Sequence, residues 1–177
     1  MSKSSSSVSD WRGMLVLGHA ASGKSLWAEG ETLRQAGDHV YVATARALDD
    51  EMRAKVDLHA ARRGPDWTLV EAPTDIAAPC AAARADQVVL VDCATMWLAN
   101  LTMDGAGWQD LAEDWIAAMA AAPARFVVVS NDVGGGVTPD NALARAFQRA
   151  QGALNQRLAQ AMDAVVLVTA GLPQRLK

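Results

Sequence analysis

The segment Gly18-His19-Ala20-Ala21-Ser22-Gly23-Lys24-Ser25 fits G-x-x-x-x-G-K-[ST] at every fixed position. Glycines in such a loop let the backbone wrap closely, so that successive amide N–H groups point at phosphate oxygens. A lysine placed as Lys24 is reaches the β- and γ-phosphates of a nucleoside triphosphate, and a hydroxyl placed as Ser25 is ligates Mg²⁺. A helix beginning at the loop's end adds its positive N-terminus. His19, Ala20 and Ala21 fill the variable positions, which serve through their backbone N–H groups, so His19 is read as part of the cradle rather than as a catalyst. Asp92 closes the apolar run Val88–Val91 and is the natural second magnesium ligand. It could equally cap a helix starting at Ala94, and the two roles are compatible.

These residues need a frame. Five valine-rich runs, Met14–Leu17, Val40–Ala43, Val88–Val91, Phe126–Val129 and Val165–Val168, are apolar on both faces, as strands of a parallel sheet covered on both sides are. Helical spacing fills the gaps. One helix is expected over Leu26–Ala36. A second is expected over Asp49–Arg62, with Met52, Val56 and His59 on one face. The longest starts near Thr138-Pro139-Asp140, with Thr138 as N-cap and Leu143, Phe147, Ala150, Leu154 and Leu158 as its core stripe. The alternation predicts one α/β domain of P-loop (RecA-like) type, with a mostly parallel central sheet flanked by helices. Residues 1–12 read as a flexible serine-rich tail and residues 13–177 as the catalytic domain. Ligands of such sheets bind beyond the carboxyl ends of the strands, here after Leu17, Ala43, Val91 and Val129.

Composition narrows the classes further. With 51% apolar and 20% charged residues the chain is ordinarily globular, and a net charge of -4 offers no nucleic-acid footprint. No apolar run approaches the roughly 20 residues of a membrane span, and the N-terminus lacks a signal-peptide core, so no membrane insertion is expected. Cys80 and Cys93 have no CxxC or histidine company, which disfavours a cysteine-held metal or redox site, and a reducing cytoplasm suits the chain. Cys93 reads as a small buried hydrophobe, His39 as a surface or edge residue, and Trp97 and Trp108 as core or interface packing.

Taken in order, these blocks resemble the bifunctional adenosylcobinamide kinase / adenosylcobinamide-phosphate guanylyltransferases of cobalamin biosynthesis, from about Met14 to Lys177. The likeness rests on the P-loop, Tyr41-Val42-Ala43-Thr44-Ala45, Leu48-Asp49-Asp50-Glu51-Met52, His59 with Arg62-Arg63, and Trp67-Thr68 with Glu71. It continues through Val91-Asp92-Cys93, Trp97-Leu98, Asn100-Leu101, Ser130-Asn131-Asp132-Val133-Gly134, Pro139, Asn155-Gln156-Arg157-Leu158 and Ala170-Gly171-Leu172-Pro173.

The resemblance implies phosphorylation of the aminopropanol hydroxyl of adenosylcobinamide by ATP or GTP. Transfer of GMP from GTP to that phosphate through a guanylyl-histidine follows, giving adenosylcobinamide-GDP and pyrophosphate. The histidine matching that motif is His59, and imidazole suits the task because it is nucleophilic near neutral pH and leaves readily from a phosphoramidate. The family's nucleotide contacts carry over to Ala43, Thr44, Ala45, Ala60, Ala61, Arg62, Arg63, Glu71 and Asp92. Arg62 and Arg63 would neutralise phosphate, with a solvated basic patch as the alternative, and Glu71 would read a purine N–H edge unless it is simply an exposed strand-end carboxylate. The family also implies a closed homo-oligomer, a trimer.

The chain departs from the family pattern at Ala21, where arginine is usual, at an inserted Gly64, at Asp132 in place of glutamate, and at Gln148-Arg149-Ala150. The alternatives are a small-molecule kinase lacking the nucleotidyl step and a nucleotide-binding subunit without turnover, the latter with Ala21 and Gly64 as its support. The glycines Gly134–Gly136, with Asn131, mark either a substrate loop or a plain turn.

Overall fold

The computed structural model describes residues 11–46, 64 and 66–177. The helix expected over Asp49–Arg62 lies outside the described residues. The elements run β1 (Gly13–Gly18), α1 (Lys24–Leu33), β2 (Asp38–Ala43), β3 (Trp67–Glu71), α2 (Ala77–Ala81), β4 (Gln87–Asp92), α3 (Ala94–Met103), α4 (Gln109–Ala121), β5 (Arg125–Asn131), α5 (Ala142–Ala161), β6 (Ala164–Thr169) and β7 (Leu172–Arg175). All five apolar runs are strands, joined by β3 and β7, in a seven-stranded sheet ordered β3-β2-β4-β5-β1-β6-β7. The pairings are parallel except for the last, where β7 returns antiparallel on β6.

Strand alternation sorts the core into two layers. Along β1, Met14 and Val16 join Ala28 of α1, Tyr41, Leu90, Val127 and Val129 on one face. Leu15 joins Ile76, Trp97, Trp115, Leu154 and Leu158 on the other, beneath α3, α4 and α5. Burial on both faces is what the continuous valine runs require. Trp97 is fully buried and packs against Trp115 with ring centroids 5.4 Å apart at 57°, whereas Trp108 is half-buried, with the Arg157 guanidinium 5.0 Å from its ring.

Several expectations are corrected. Packing begins at Trp11, only 3% exposed, so residues 11 and 12 belong to the domain rather than to a tail. Arg12 secures this start by donating to the Met119, Ala120 and Ala122 carbonyls at the end of α4. Helix α5 starts at Ala142, not near Thr138, because the Asn141 Oδ1 accepts from the amides of Leu143 (2.7 Å) and Ala144 (3.3 Å). Leu143 is 65% exposed and drops out of the core stripe, which begins at Phe147. His39 lies on a strand paired on both sides, partly buried, with Nε2 3.0 Å from the Gln35 carbonyl and its ring 5.6 Å from Trp67.

Candidate active site

Strand β1 runs straight into the glycine-rich loop and leaves it as α1. Two residues there adopt left-handed backbone, Ala21 at φ 57° and Gly23 at φ 86°, turning the chain sharply before Lys24. The loop is also held from below. A Cβ on Gly18 would stand 2.7 Å from the Val168 carbonyl of β6 and against the Ser22 hydroxyl, so only glycine fits. The amide of Gly171, in the β6–β7 turn, donates to the Ser22 carbonyl at 2.8 Å. That turn is a two-residue hairpin with positive φ at both Ala170 and Gly171. The Lys24 ammonium lies over the loop and donates to the His19 carbonyl at 3.2 Å.

Asp92 stands at the carboxyl end of β4, two strands away from β1. Its Oδ1 accepts from the Ser25 hydroxyl at 3.4 Å and its Oδ2 from the Tyr41 hydroxyl at 2.7 Å. Helix α3 does start at Ala94, but Cys93 is its N-cap and no side chain caps it, so the Asp92 carboxylate faces the P-loop instead. Ser25 and Asp92 present hard oxygen donors side by side, the donor set that suits Mg²⁺ shared with phosphate oxygens and water. Among the described residues no group of three or more His, Cys, Asp or Glu side chains could hold a metal without such help.

The segment after β2 lies in the same row. Ala43 is the register partner of both Glu71 on β3 and Asp92 on β4, so the three residues line the carboxyl edge together. Glu71 is exposed, and Ala43 and Ala45 are half-buried. Thr44 is fully buried, and its hydroxyl is occupied by the Cys93 backbone, accepting from the amide and donating to the carbonyl at 2.8 Å each. The Asn100 amide nitrogen braces the same turn, donating to the Thr44 and Pro73 carbonyls, 2.8 Å each. Burial pushes the Cys93 thiol up to about 12, with the Asp92 charge adding to the effect, so it is no nucleophile near neutral pH.

Strand β5, between β1 and β4, ends on Asn131 and feeds the glycine loop. The Asp132 amide donates to the Gly18 carbonyl at 3.0 Å, and the Asp132 carbonyl lies 2.8 Å from Nδ1 of His19. Asp132 Oδ1 accepts from the Gly134 amide at 3.2 Å, a local turn. Gln148, one of the residues that break the family pattern, donates to the Val133 carbonyl at 2.7 Å and so holds the loop down.

The structure therefore gathers Gly18, His19, Ala20, Ala21, Ser22, Gly23, Lys24, Ser25, Ala43, Thr44, Ala45, Glu71 and Asp92 along one edge of the sheet. His59, Ala60, Ala61, Arg62 and Arg63 lie outside the described residues. The residue type of Tyr41 by itself points to no role in the site. Its signal was parity, since it is two residues before Ala43 on a strand with both faces buried, but its partner Asp92 is 51 positions away in the chain.

A family profile described as cobinamide kinase / cobinamide phosphate guanyltransferase matches residues 14–176. The bifunctional adenosylcobalamin biosynthesis protein CobP of Pseudomonas aeruginosa is 37% identical over 166 residues, covering 92% of this chain and 96% of that protein. The bifunctional adenosylcobalamin biosynthesis protein CobU of Salmonella typhimurium is 36% identical over 181 aligned positions, covering 93% and 99%. Among solved structures, the RadB recombinase superposes with a TM-score of 0.50 at 16% identity, covering 88% of this chain and 73% of that one. At that identity the likeness is one of fold, and it is the RecA-like fold expected. Among the described residues no helix is long and apolar enough to cross a membrane.

Proposed function

The chain belongs to the cobinamide kinase / cobinamide phosphate guanyltransferase family, and we propose that it acts twice on one corrinoid, first as a kinase and then as a guanylyltransferase. The observation that carries this reading is the meeting of Ser25 and Asp92, 67 positions apart, beside a loop shaped for phosphate.

In the kinase step the amides of the Gly18–Ser25 loop cradle the phosphates of ATP or GTP, and Lys24 leaves the His19 carbonyl to pair with the β- and γ-phosphates. Mg²⁺ held by Ser25 and Asp92 would neutralise charge on those phosphates when bound. The aminopropanol hydroxyl of adenosylcobinamide forms a bond to the γ-phosphorus as the bond to the bridging oxygen breaks, and the nucleoside diphosphate leaves.

In the second step an imidazole nitrogen of His59 attacks the α-phosphorus of GTP and pyrophosphate departs. A phosphate oxygen of adenosylcobinamide phosphate then takes the GMP group from the histidine, which returns to neutral imidazole. Ala43, Thr44 and Ala45 line the nucleotide, Thr44 through its backbone. Glu71 accepts from the guanine N–H edge, and Ala60 and Ala61 with Arg62 and Arg63 surround the phosphates. The protein works as a closed homo-oligomer, a trimer, in the cytoplasm.

The test is incubation with α-labelled GTP. Acid-labile, base-stable label appears on the wild type and is absent from His59→Ala. An unlabelled wild type, or label that persists in His59→Ala, refutes transfer through His59. Corrinoid phosphorylation without protein label would leave a kinase alone.

A further inference from the structure

Asn131 ends the strand that separates the P-loop strand from the strand of Asp92. Its backbone is clamped on both sides. The Asn131 amide donates to the Thr95 hydroxyl, in the first turn after Asp92, at 2.8 Å, and the Asn131 carbonyl accepts from the Asn155 side chain at 3.0 Å. The next amide, of Asp132, is bonded to the first residue of the P-loop at 3.0 Å. Its position at the head of the site is therefore rigid.

Strand parity decides which way the side chain goes. Val127 and Val129 belong to the α1 face with Val16, Tyr41 and Leu90. Ser130 belongs to the opposite face, where its hydroxyl donates to Asn155 at 2.6 Å and accepts from Gln151 at 3.0 Å. Asn131 thus shares the face of Gly18, Asp92 and Ser25, and it lies level with Gly18 in the β1–β5 register. Its side-chain oxygen is buried and has no hydrogen-bond partner among the described residues. Leaving a buried acceptor unmade is costly in a residue held this firmly, which points to a partner that arrives with the reaction.

We propose that the Asn131 side-chain oxygen accepts a hydrogen bond from the attacking hydroxyl in phosphoryl transfer, holding it in line with the γ-phosphorus. The ligand class is an alcohol or, in its absence, water. The hydroxyl oxygen bonds to phosphorus, the bond to the bridging oxygen breaks with its electron pair going to the nucleoside diphosphate, and the hydroxyl proton passes to a phosphoryl oxygen. This inference rests on the kinase reading above.

The experiment uses the full chain with Mg·ATP and follows both phosphorylation of adenosylcobinamide and ATP hydrolysis without it. Asn131→Leu keeps the volume and removes only polarity, so thermal stability stays level or rises, as it would for a merely structural residue. Both rates at saturation nonetheless fall about a hundredfold, while the ATP dissociation constant stays within about threefold of wild type. Asn131→Asp keeps the acceptor oxygen and recovers at least about tenfold of that rate, even where its charge weakens ATP binding. Rates of Asn131→Leu within about threefold of wild type, or a loss of ATP affinity that matches the loss of rate, overturn the proposal. A wild type that hydrolyses ATP but leaves the corrinoid untouched refutes the proposed substrate, and the hydrolysis arm still decides Asn131. A wild type that does neither refutes both.

Discussion

Removing one hydroxyl, in Tyr41→Phe, should both destabilise the fold and loosen the pairing of Asp92 with Ser25, the proposed Mg²⁺ ligands. The Tyr41 ring is 3% exposed and meets Trp67 edge-on, with ring centroids 5.6 Å apart at 83°. Phenylalanine keeps the packing on Trp67 and removes the hydroxyl that donates to Asp92 Oδ2 at 2.7 Å. A hydrogen bond to a charged acceptor contributes about 1.5–3 kcal/mol, and because Asp92 is only half-buried and open to water the lower end applies. A loss of about 1.5 kcal/mol lowers the midpoint of thermal unfolding by about 3–6 °C in a chain of this size. The same energy, lost from the orientation of the Asp92 carboxylate toward Ser25, raises the Mg²⁺ concentration for half-maximal nucleotide binding about tenfold. Thermal unfolding followed by circular dichroism and a Mg²⁺ titration of nucleotide binding measure the two effects. A midpoint within about 1 °C of wild type together with an unchanged titration would refute the role assigned to Tyr41.

Gly18→Ala places a Cβ 2.7 Å from the Val168 carbonyl, a backbone atom of a paired strand, and is expected to cost about 1–3 kcal/mol in denaturant unfolding and at least about tenfold in nucleotide affinity. Gly30→Ala, within α1 and with nothing near its would-be Cβ, should instead stabilise by about 0.5–1 kcal/mol in the same measurement. Asp163 is held below the usual carboxylate range by the amides of Gly13 and Arg12, which donate to its Oδ2 at 3.0 and 2.9 Å. A depressed folded value means that this stabilisation is complete above the unfolded value of about 4 and is lost as pH falls through the folded one. Because the carboxylate is exposed, it amounts to about 1 kcal/mol or less. Asp163→Asn should accordingly lower stability at pH 7 and narrow its gap to wild type below about pH 4, read from urea unfolding across pH.

Contiguous patterns carried the parts that the amino-acid order alone determines. A glycine-rich phosphate loop is legible because its geometry is made by eight neighbouring residues, from Gly18 to Ser25. The strand runs are legible because burial on both faces demands unbroken apolar residues, and Asp92 stands out as the charge that ends one of them. Local signals failed where two competed. Thr138 is the expected N-cap, but the helix is capped by Asn141, whose side chain reaches two amides. Leu143 keeps the helical spacing of the core stripe, yet it sits in the first turn of the helix and stays exposed.

Tertiary structure alone decided what meets at the carboxyl edge of the sheet. Strand order brings β5 between β1 and β4, and that order depends on crossovers spanning many residues, which no local spacing encodes. The Gly171 turn beneath Ser22, the Tyr41 hydroxyl on Asp92 and the buried oxygen of Asn131 all follow from it. Amino-acid order determined that a phosphate loop and an acid exist. Sheet topology determined that they touch, because hydrogen-bonded parallel strands align their carboxyl ends in space whatever their separation along the chain.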